Sequence, residues 1–252
     1  MSLARPAVML AVAAMLLGAA LAPSEAQEKL RCGPFNATAA APALHTDYWA
    51  QKSFDRINEE VRTKPYRVLF FGDSITERWQ MPLWDAKPVW DANMPQRGVL
   101  NAGVSGDRTE HLRWRLDHGN LDGPTPKGVI VLIGTNDLAV GRPPAEAAEG
   151  VRQILLRLRD QLPTTRILLL GLTPRGAGPD DPLRQAVGQA NQLIQTCADA
   201  SITYADVGGG LLDAHGVLSH TLSPDLLHFS GAGYQRIVPK LDPAIDRLEG
   251  AP

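Results

Sequence analysis

Five short apolar runs recur along the chain, and the stretches between them repeat their apolar residues at helical spacing. Strands that are apolar on both faces and alternate with helices are typical of a parallel sheet covered by helices on both sides. The sequence therefore predicts an α/β fold, a single-domain, flavodoxin-like three-layer α/β/α sandwich with a five-stranded parallel sheet. The five runs are RVLFFG (67–72), GVLNAG (98–103), GVIVLIG (128–134), RILLLGL (166–172) and ITYADV (202–207).

Helical periodicity defines the segments between these runs. We expect helices over 46–62, 145–162, 182–198 and 230–248, the last of them bent or split by Pro239 and Pro243. The pattern contains no linker and no internal repeat, so we assign residues 45–250 to one domain.

The N-terminus has the pattern of an export signal. Arg5 precedes the apolar, Ala-rich stretch 7–22, and Ser24-Glu25-Ala26 supplies the small residues that a signal peptidase recognises. We expect residues 1–26 to be a signal peptide cleaved after Ala26, and residues 27–44 to be a loosely ordered arm. This places the protein outside the cytoplasm, secreted or periplasmic, without stable membrane insertion after cleavage.

The charge balance bears on nucleic-acid binding, and the cysteines bear on a possible disulfide. The formal net charge is −2, with 25 basic and 27 acidic residues, so no basic surface for nucleic acid is expected. The two cysteines, Cys32 and Cys197, leave two readings open. Export would permit a disulfide between them, whereas Cys197 also continues an apolar helical stripe as a buried thiol.

Polar clusters follow several predicted strands directly. GDS follows the first, SGDR the second, GTND the third, and Asp225-Leu226-Leu227-His228 lies in the loop after the fifth. Ligands of parallel α/β sheets bind beyond the carboxyl ends of the strands, so these clusters are the candidate site.

The residue types in these clusters suit acyl transfer. Ser74 offers a hydroxyl nucleophile, His228 a base, and Asp225 a carboxylate that can orient the base. Gly106 (backbone N–H) and Asn136 (side-chain amide) could hold an oxyanion. Each also has an ordinary structural explanation: Ser74 as a helix cap, and Gly106 and Asn136 as turn residues.

Taken together, GDSIT, NAGVSGDRT, GTND and DLLH resemble the SGNH hydrolases, also called the GDSL esterase/lipase family. The likeness covers Val68 to Tyr234. Within the family the chain resembles in particular the catalytic α subunits of intracellular platelet-activating-factor acetylhydrolase, through stretches such as HLRWRLDHGNL (111–121) and LLGLTPRG (169–176).

The resemblance implies roles for individual residues. It makes Ser74 the nucleophile, His228 the base and Asp225 the orienting acid, with the oxyanion hole formed by Ser74, Gly106 and Asn136. Asp73 would support the turn. No metal and no cofactor are implied, and the sequence has no H-E-x-x-H motif or Cys/His cluster at ligand spacing.

Two further expectations concern the substrate pocket. Asp137 lies where the acetylhydrolase subunits tend to carry another polar residue, and we expect it to alter the pocket rim. Trp79, Trp84 and Trp90 could stack on sugar rings. We favour the alternative that they form the apolar core of the segment between Ser74 and the second predicted strand.

The resulting prediction is a secreted serine esterase that hydrolyses short-chain, acetyl-type carboxylic esters of small molecules or glycans through an acyl-enzyme. Alternatives are a carbohydrate or glycopeptide O-acetylesterase, a lipase or lysophospholipase-type acylhydrolase, and a non-catalytic binding module on the same scaffold. By analogy with the related subunits, a homodimer is also considered.

Overall fold

The five predicted strands form one parallel sheet. The computed structural model describes residues 30–249. The strand order is β2-β1-β3-β4-β5, and every neighbouring pair is parallel, which confirms the predicted flavodoxin-like fold. The strands are β1 (Val68–Gly72), β2 (Val99–Gly103), β3 (Gly128–Leu132), β4 (Arg166–Leu170) and β5 (Ile202–Ala205).

Helices cover both faces of this sheet. Successive strand residues point to opposite faces, so Leu69 and Phe71 pack into one core whereas Val68 and Phe70 pack into the other. The helices are α1 (Tyr48–Thr63), α2 (Ser74–Trp79), α3 (Ala86–Asn93), α4 (Thr109–Leu116), α5 (Thr135–Ala139), α6 (Pro144–Gln161), α7 (Pro182–Ile194) and α8 (Gly231–Glu249).

The first core is covered by α1, α4 and α6, and the second by α3 and α8. Burial of apolar side chains on both faces is the main stabilising contribution to such a sheet.

Two helices differ from the sequence prediction, one at its end and one in its interior. The α7 helix stops at Ile194, and a short 3₁₀ turn, Gln195–Cys197, completes the predicted segment. The α8 helix is neither split nor interrupted, and it contains both Pro239 and Pro243. These prolines are exposed and four residues apart, so the missing N–H donors fall on the solvent side of the helix.

The N-terminal arm is attached to the domain at several points. Cys32 and Cys197, separated by 165 residues, form a disulfide, which resolves the two readings of the cysteines. Further along the arm, Phe35 N–H donates to Glu149, and the Ala43 N–H donates to the Glu110 carbonyl. Residues 30–46 contain no helix or strand.

The predicted signal peptide, residues 1–26, lies outside the described residues. Within residues 30–249, every helix is too short or too polar to cross a membrane.

Candidate active site

The sheet order brings three of the polar clusters together. Because β1 lies between β2 and β3, the loop that carries Ser74 is flanked by the loop that carries Gly106 and by the one that carries Asn136. His228 reaches the same edge from the loop that precedes α8. The predicted convergence at the carboxyl ends of the strands is therefore observed.

Ser74, His228 and Asp225 form a continuous chain of hydrogen bonds. Nε2 of His228 lies 2.8 Å from Oγ of Ser74, and Nδ1 lies 2.7 Å from Oδ2 of Asp225. The backbone N–H of His228 donates to Oδ1 of Asp225 at 2.7 Å, so the carboxylate holds both the ring and the backbone of the histidine. This is the arrangement in which a carboxylate fixes the tautomer of a base and leaves its second nitrogen for a hydroxyl.

Ser74 is the first residue of α2, but it does not cap the helix. The cap is Asp73, whose Oδ1 accepts from the Ile75 N–H at 2.9 Å. The hydroxyl of Ser74 is therefore free of the capping role that the sequence left open. Asp73 is fully buried, and desolvation raises the pKa of its carboxyl to about 7, with Asp107 and Asp137 adding to the effect.

The two other expected oxyanion donors are joined to each other. The Asn136 side-chain amide donates to the Asp107 carbonyl at 2.9 Å, directly after Gly106, and an amide nitrogen retains a second hydrogen for a ligand. Gly106 has a left-handed backbone, φ 81°, which glycine adopts without strain. Within residues 30–249, neither the Ser74 N–H nor the Gly106 N–H donates to a protein acceptor.

The surroundings of His228 favour its neutral form. Burial lowers the pKa of the imidazole, the hydrogen bond to Asp225 opposes this, and the positive charges of Arg78 and Arg175 lower it further. The carboxyl of Asp225 has a lowered pKa: burial opposes ionisation, but the hydrogen bonds from His228 outweigh it. The pair is thus neutral imidazole and carboxylate near pH 7, the state that a general base requires.

Arg78 is a site residue that the sequence analysis missed. Its guanidinium lies 3.1 Å from Nδ1 of His228. The signal was available, because Arg78 is four residues after Ser74 and positions i and i+4 share a helix face.

His45 is a second site residue that the sequence did not reveal. Its side chain is only 12% exposed, and Nδ1 lies 2.8 Å from Oδ1 of Asp107. A Cβ built on Gly106 would lie 3.0 Å from Cε1 of His45, so the ring covers the glycine loop. The carboxylate of Asp107 binds His45 and Arg115, and the N-cap position of α4 is Arg108. No local sequence pattern relates position 45 to position 107.

Asp137 is not at the pocket rim. Its side chain is fully buried, and its two oxygens accept from the N–H and hydroxyl of Thr109 at 3.0 and 2.7 Å, so it supports the start of α4. Arg142 donates to the same carboxylate at 2.8 Å.

Metal-ligand geometry within residues 30–249 occurs in one group, His45, Asp107 and His111, whose ligand atoms lie within 4.8 Å of one another. Protein groups already occupy several of these atoms. The two ring nitrogens of His45 bind Asp107 and Asp47, and Arg115 binds the second oxygen of Asp107.

The three tryptophans do not share one role. Trp79 and Trp90 are each 2% exposed, and Trp79 stacks on Tyr234 with ring centroids 4.5 Å apart. For these two the packing explanation is right. Trp84 is partly exposed, and its ring centroid lies 6.5 Å from that of His228.

Comparison with known proteins identifies the family of this chain. The model of the GDSL-like lipase/acylhydrolase family matches residues 70–236. Platelet-activating factor acetylhydrolase IB subunit alpha2 of Rattus norvegicus is 32% identical over 204 residues, which cover 80% of this chain and 85% of the relative.

Solved structures share the fold. A GDSL-like lipase from Bacteroides thetaiotaomicron superposes with a TM-score of 0.66 at 19% identity, covering 80% of this chain and 99% of the other. An acetylxylan esterase from Geobacillus stearothermophilus superposes with a TM-score of 0.56 at 20% identity, covering 74% and 96%. The family match and the sequence identity to the acetylhydrolase subunit show that this chain belongs to the GDSL-like lipase/acylhydrolase family and is a carboxylic ester hydrolase of the GDSL/SGNH type.

Proposed function

We propose that the protein is a secreted or periplasmic serine esterase that removes short acyl groups, above all acetyl, from ester substrates. The observation that carries this proposal is the hydrogen-bonded chain from Oγ of Ser74 through His228 to Asp225, at 2.8 and 2.7 Å. It gives Ser74 the role of nucleophile, His228 that of general base, and Asp225 that of the group that orients the imidazole.

In the first half-reaction, Oγ of Ser74 attacks the ester carbonyl carbon while Nε2 of His228 takes the hydroxyl proton. The carbonyl oxygen becomes an oxyanion, held by the N–H groups of Ser74 and Gly106 and by the Asn136 amide. When the tetrahedral intermediate collapses, the bond to the alcohol oxygen breaks, and His228 returns its proton to that oxygen. The alcohol leaves, and an acyl-Ser74 ester remains.

In the second half-reaction, His228 takes a proton from a water molecule, whose oxygen attacks the acyl carbon. The same three donors hold the second oxyanion. Collapse breaks the bond to Oγ of Ser74, which regains its proton from His228, and the carboxylic acid is released.

The choice of acetyl rests on the relatives. The curated protein at 32% identity is an acetylhydrolase by name, and one of the structural neighbours is an acetylxylan esterase. Both names describe removal of a two-carbon acyl group, from different alcohols.

Export is supported by the disulfide between Cys32 and Cys197, because disulfides persist in oxidising compartments. Expression of the full chain followed by cell fractionation and N-terminal sequencing tests it. Recovery of the mature chain beginning at Gln27 outside the cytoplasm supports export, and an uncleaved cytoplasmic chain contradicts it.

The enzymatic proposal is tested with Ser74→Ala, using Ser201→Ala as a control on a partly exposed serine directly before β5, at the opposite edge of the sheet. We expect wild type and Ser201→Ala to hydrolyse p-nitrophenyl acetate and to be labelled by a fluorophosphonate. Ser74→Ala should show neither property. Full hydrolysis by purified Ser74→Ala would overturn the assignment of the nucleophile, and a steep loss of rate from acetate to octanoate esters would support the short acyl preference.

A further inference from the structure

The loop after α2 holds two consecutive non-glycine residues in the left-handed region. Trp84 has φ 50° and Asp85 has φ 57°. A bulky residue at positive φ is unusual, because its Cβ crowds the backbone, and such strain persists only where surrounding contacts impose it. The same short loop exposes two more apolar side chains, Met81 and Leu83.

One contact that holds this conformation comes from the segment that carries the base. The Gly231 N–H, three residues after His228, donates to the Trp84 carbonyl at 2.7 Å. Gly231 is suited to this approach, since a Cβ there would lie 2.2 Å from the Asp85 carbonyl oxygen. The strained loop is thus attached to the His228 segment, and the indole ring lies beside the imidazole at 6.5 Å with an interplanar angle of 44°.

The position of the ring indicates which part of a substrate it meets. In the acylation step, His228 delivers its proton to the alcohol oxygen, so the alcohol must lie on the His228 side of the scissile bond. The Gly106 and Asn136 donors lie on other loops, after β2 and β3, and serve the carbonyl oxygen. The Trp84 ring lies beside the His228 ring, with centroids 6.5 Å apart, so it is on the side of the alcohol rather than of the oxyanion donors.

From this placement we infer that Trp84 is a specificity-determining residue that stacks on the alcohol part of the ester, and that this alcohol is a sugar ring. This inference rests on the proposed esterase function and adds the substrate class. The indole presents a flat apolar face with one polar edge, which matches the apolar face and hydroxyl edge of a pyranose.

The experiment compares esters that share the acetyl group and differ in the alcohol: acetylated xylose, an acetylated glycerophospholipid and ethyl acetate. Trp84→Gly, Trp84→Phe and wild type are assayed on each, with Trp49→Ala as a control on a tryptophan that is 57% exposed and outside the loop. For Trp84→Gly we expect kcat/KM on acetylated xylose to fall about tenfold, while ethyl acetate hydrolysis stays within about twofold. Trp84→Phe should recover most of the loss.

Thermal unfolding separates this role from a structural one. Glycine tolerates φ 50°, so the midpoint temperature of unfolding of Trp84→Gly should be at most slightly lower than that of wild type. The variant should nevertheless lose activity on the acetylated sugar.

Three outcomes would overturn the inference: equal losses on all three esters, a selective loss on the phospholipid, and no loss on any of them. None of these affects the esterase proposal, which fails only if wild type hydrolyses no acetate or Ser74→Ala remains active.

Discussion

Nε2 of His228 lies 2.8 Å from Oγ of Ser74, although 154 residues separate them in the chain. The sheet accounts for this proximity, since Ser74 begins the helix after central strand β1 and His228 precedes α8, which packs on the same sheet. In the proposed mechanism, a contact of this length places the imidazole within reach of the proton that it takes from Ser74.

The pH dependence of hydrolysis should report the environment of His228. Only the neutral imidazole accepts a proton, so kcat/KM should rise as pH increases through its pKa and then level off. Burial, Arg78 and Arg175 lower that pKa below 6.5 against the opposing effect of Asp225, so we expect full activity already at neutral pH.

Arg78 provides a test of this cause. Arg78→Gln removes a positive charge beside the ring and should move the rising limb to higher pH by about 1 unit, whereas Arg78→Lys should move it less. The measurement is kcat/KM from pH 4 to 9. An unchanged limb in Arg78→Gln would mean that the guanidinium does not influence the base.

Asn136→Ala should impair hydrolysis without abolishing it. Loss of one oxyanion donor typically costs about 3 kcal/mol of transition-state stabilisation, or about a hundredfold in kcat. KM should change little, because the donor acts on charge that develops in the transition state. Asn93→Ala, on α3, is the matched control. A variant that loses affinity and keeps kcat would assign Asn136 to substrate binding instead.

Asp73→Asn should stabilise the protein at alkaline pH. The folded-state pKa of Asp73 is raised to about 7 by burial, above its ordinary value of 3.8. The stability associated with the neutral carboxyl is therefore fully present below pH 3.8 and is lost as pH rises through about 7. Asparagine keeps the acceptor for the Ile75 N–H and does not ionise. Urea unfolding should show no advantage of the variant near pH 4, a growing advantage up to pH 7 and a constant one beyond. If the stability of the variant relative to wild type fell as pH rises, the raised pKa of Asp73 would be contradicted.

His45→Ala should lower kcat with little change in KM. The ring covers the Gly106 loop and holds Asp107, whose carbonyl binds Asn136, so its removal should loosen two oxyanion donors. We expect a loss of about tenfold, smaller than that for deleting a donor outright. His45→Asn retains an N–H near the position of Nδ1 and should recover part of the rate. His215→Ala, an exposed histidine, is the control. Equal activity of His45→Ala and wild type would limit His45 to a structural role.

Opening the disulfide should destabilise the domain. Cys32 and Cys197 close a loop of 165 residues, and a bridge of this kind typically contributes about 2–5 kcal/mol by restricting the unfolded chain. The free energy of unfolding is measured for wild type with and without reductant, and for the double variant Cys32→Ala, Cys197→Ala. Identical values with and without reductant would show that the bridge contributes nothing to stability.

The strands and the main helices could be predicted because their signals are local. An apolar run such as Val129–Leu132, or the helical stripe in α6, is a property of consecutive residues. The carboxyl-end rule for parallel sheets then located Ser74, Gly106 and Asn136 at one edge without any distance being known. The sequence did not predict that α8 continues through Pro239 and Pro243. The free-energy cost of a proline's missing N–H depends on whether that side of the helix faces water, which the tertiary structure decides.

By itself, the sequence determined the fold class and the convergence of the polar clusters, since the first follows from apolar periodicity and the second from the shared edge at which parallel strands end. Only the tertiary structure decided what surrounds them: His45 over Gly106, Arg78 beside His228, and Trp84 held in a left-handed conformation by Gly231. The physical reason is that these contacts depend on the path of loops and of the N-terminal arm. Side chains there are brought together by packing and by a disulfide between distant residues, and no local pattern encodes such distances.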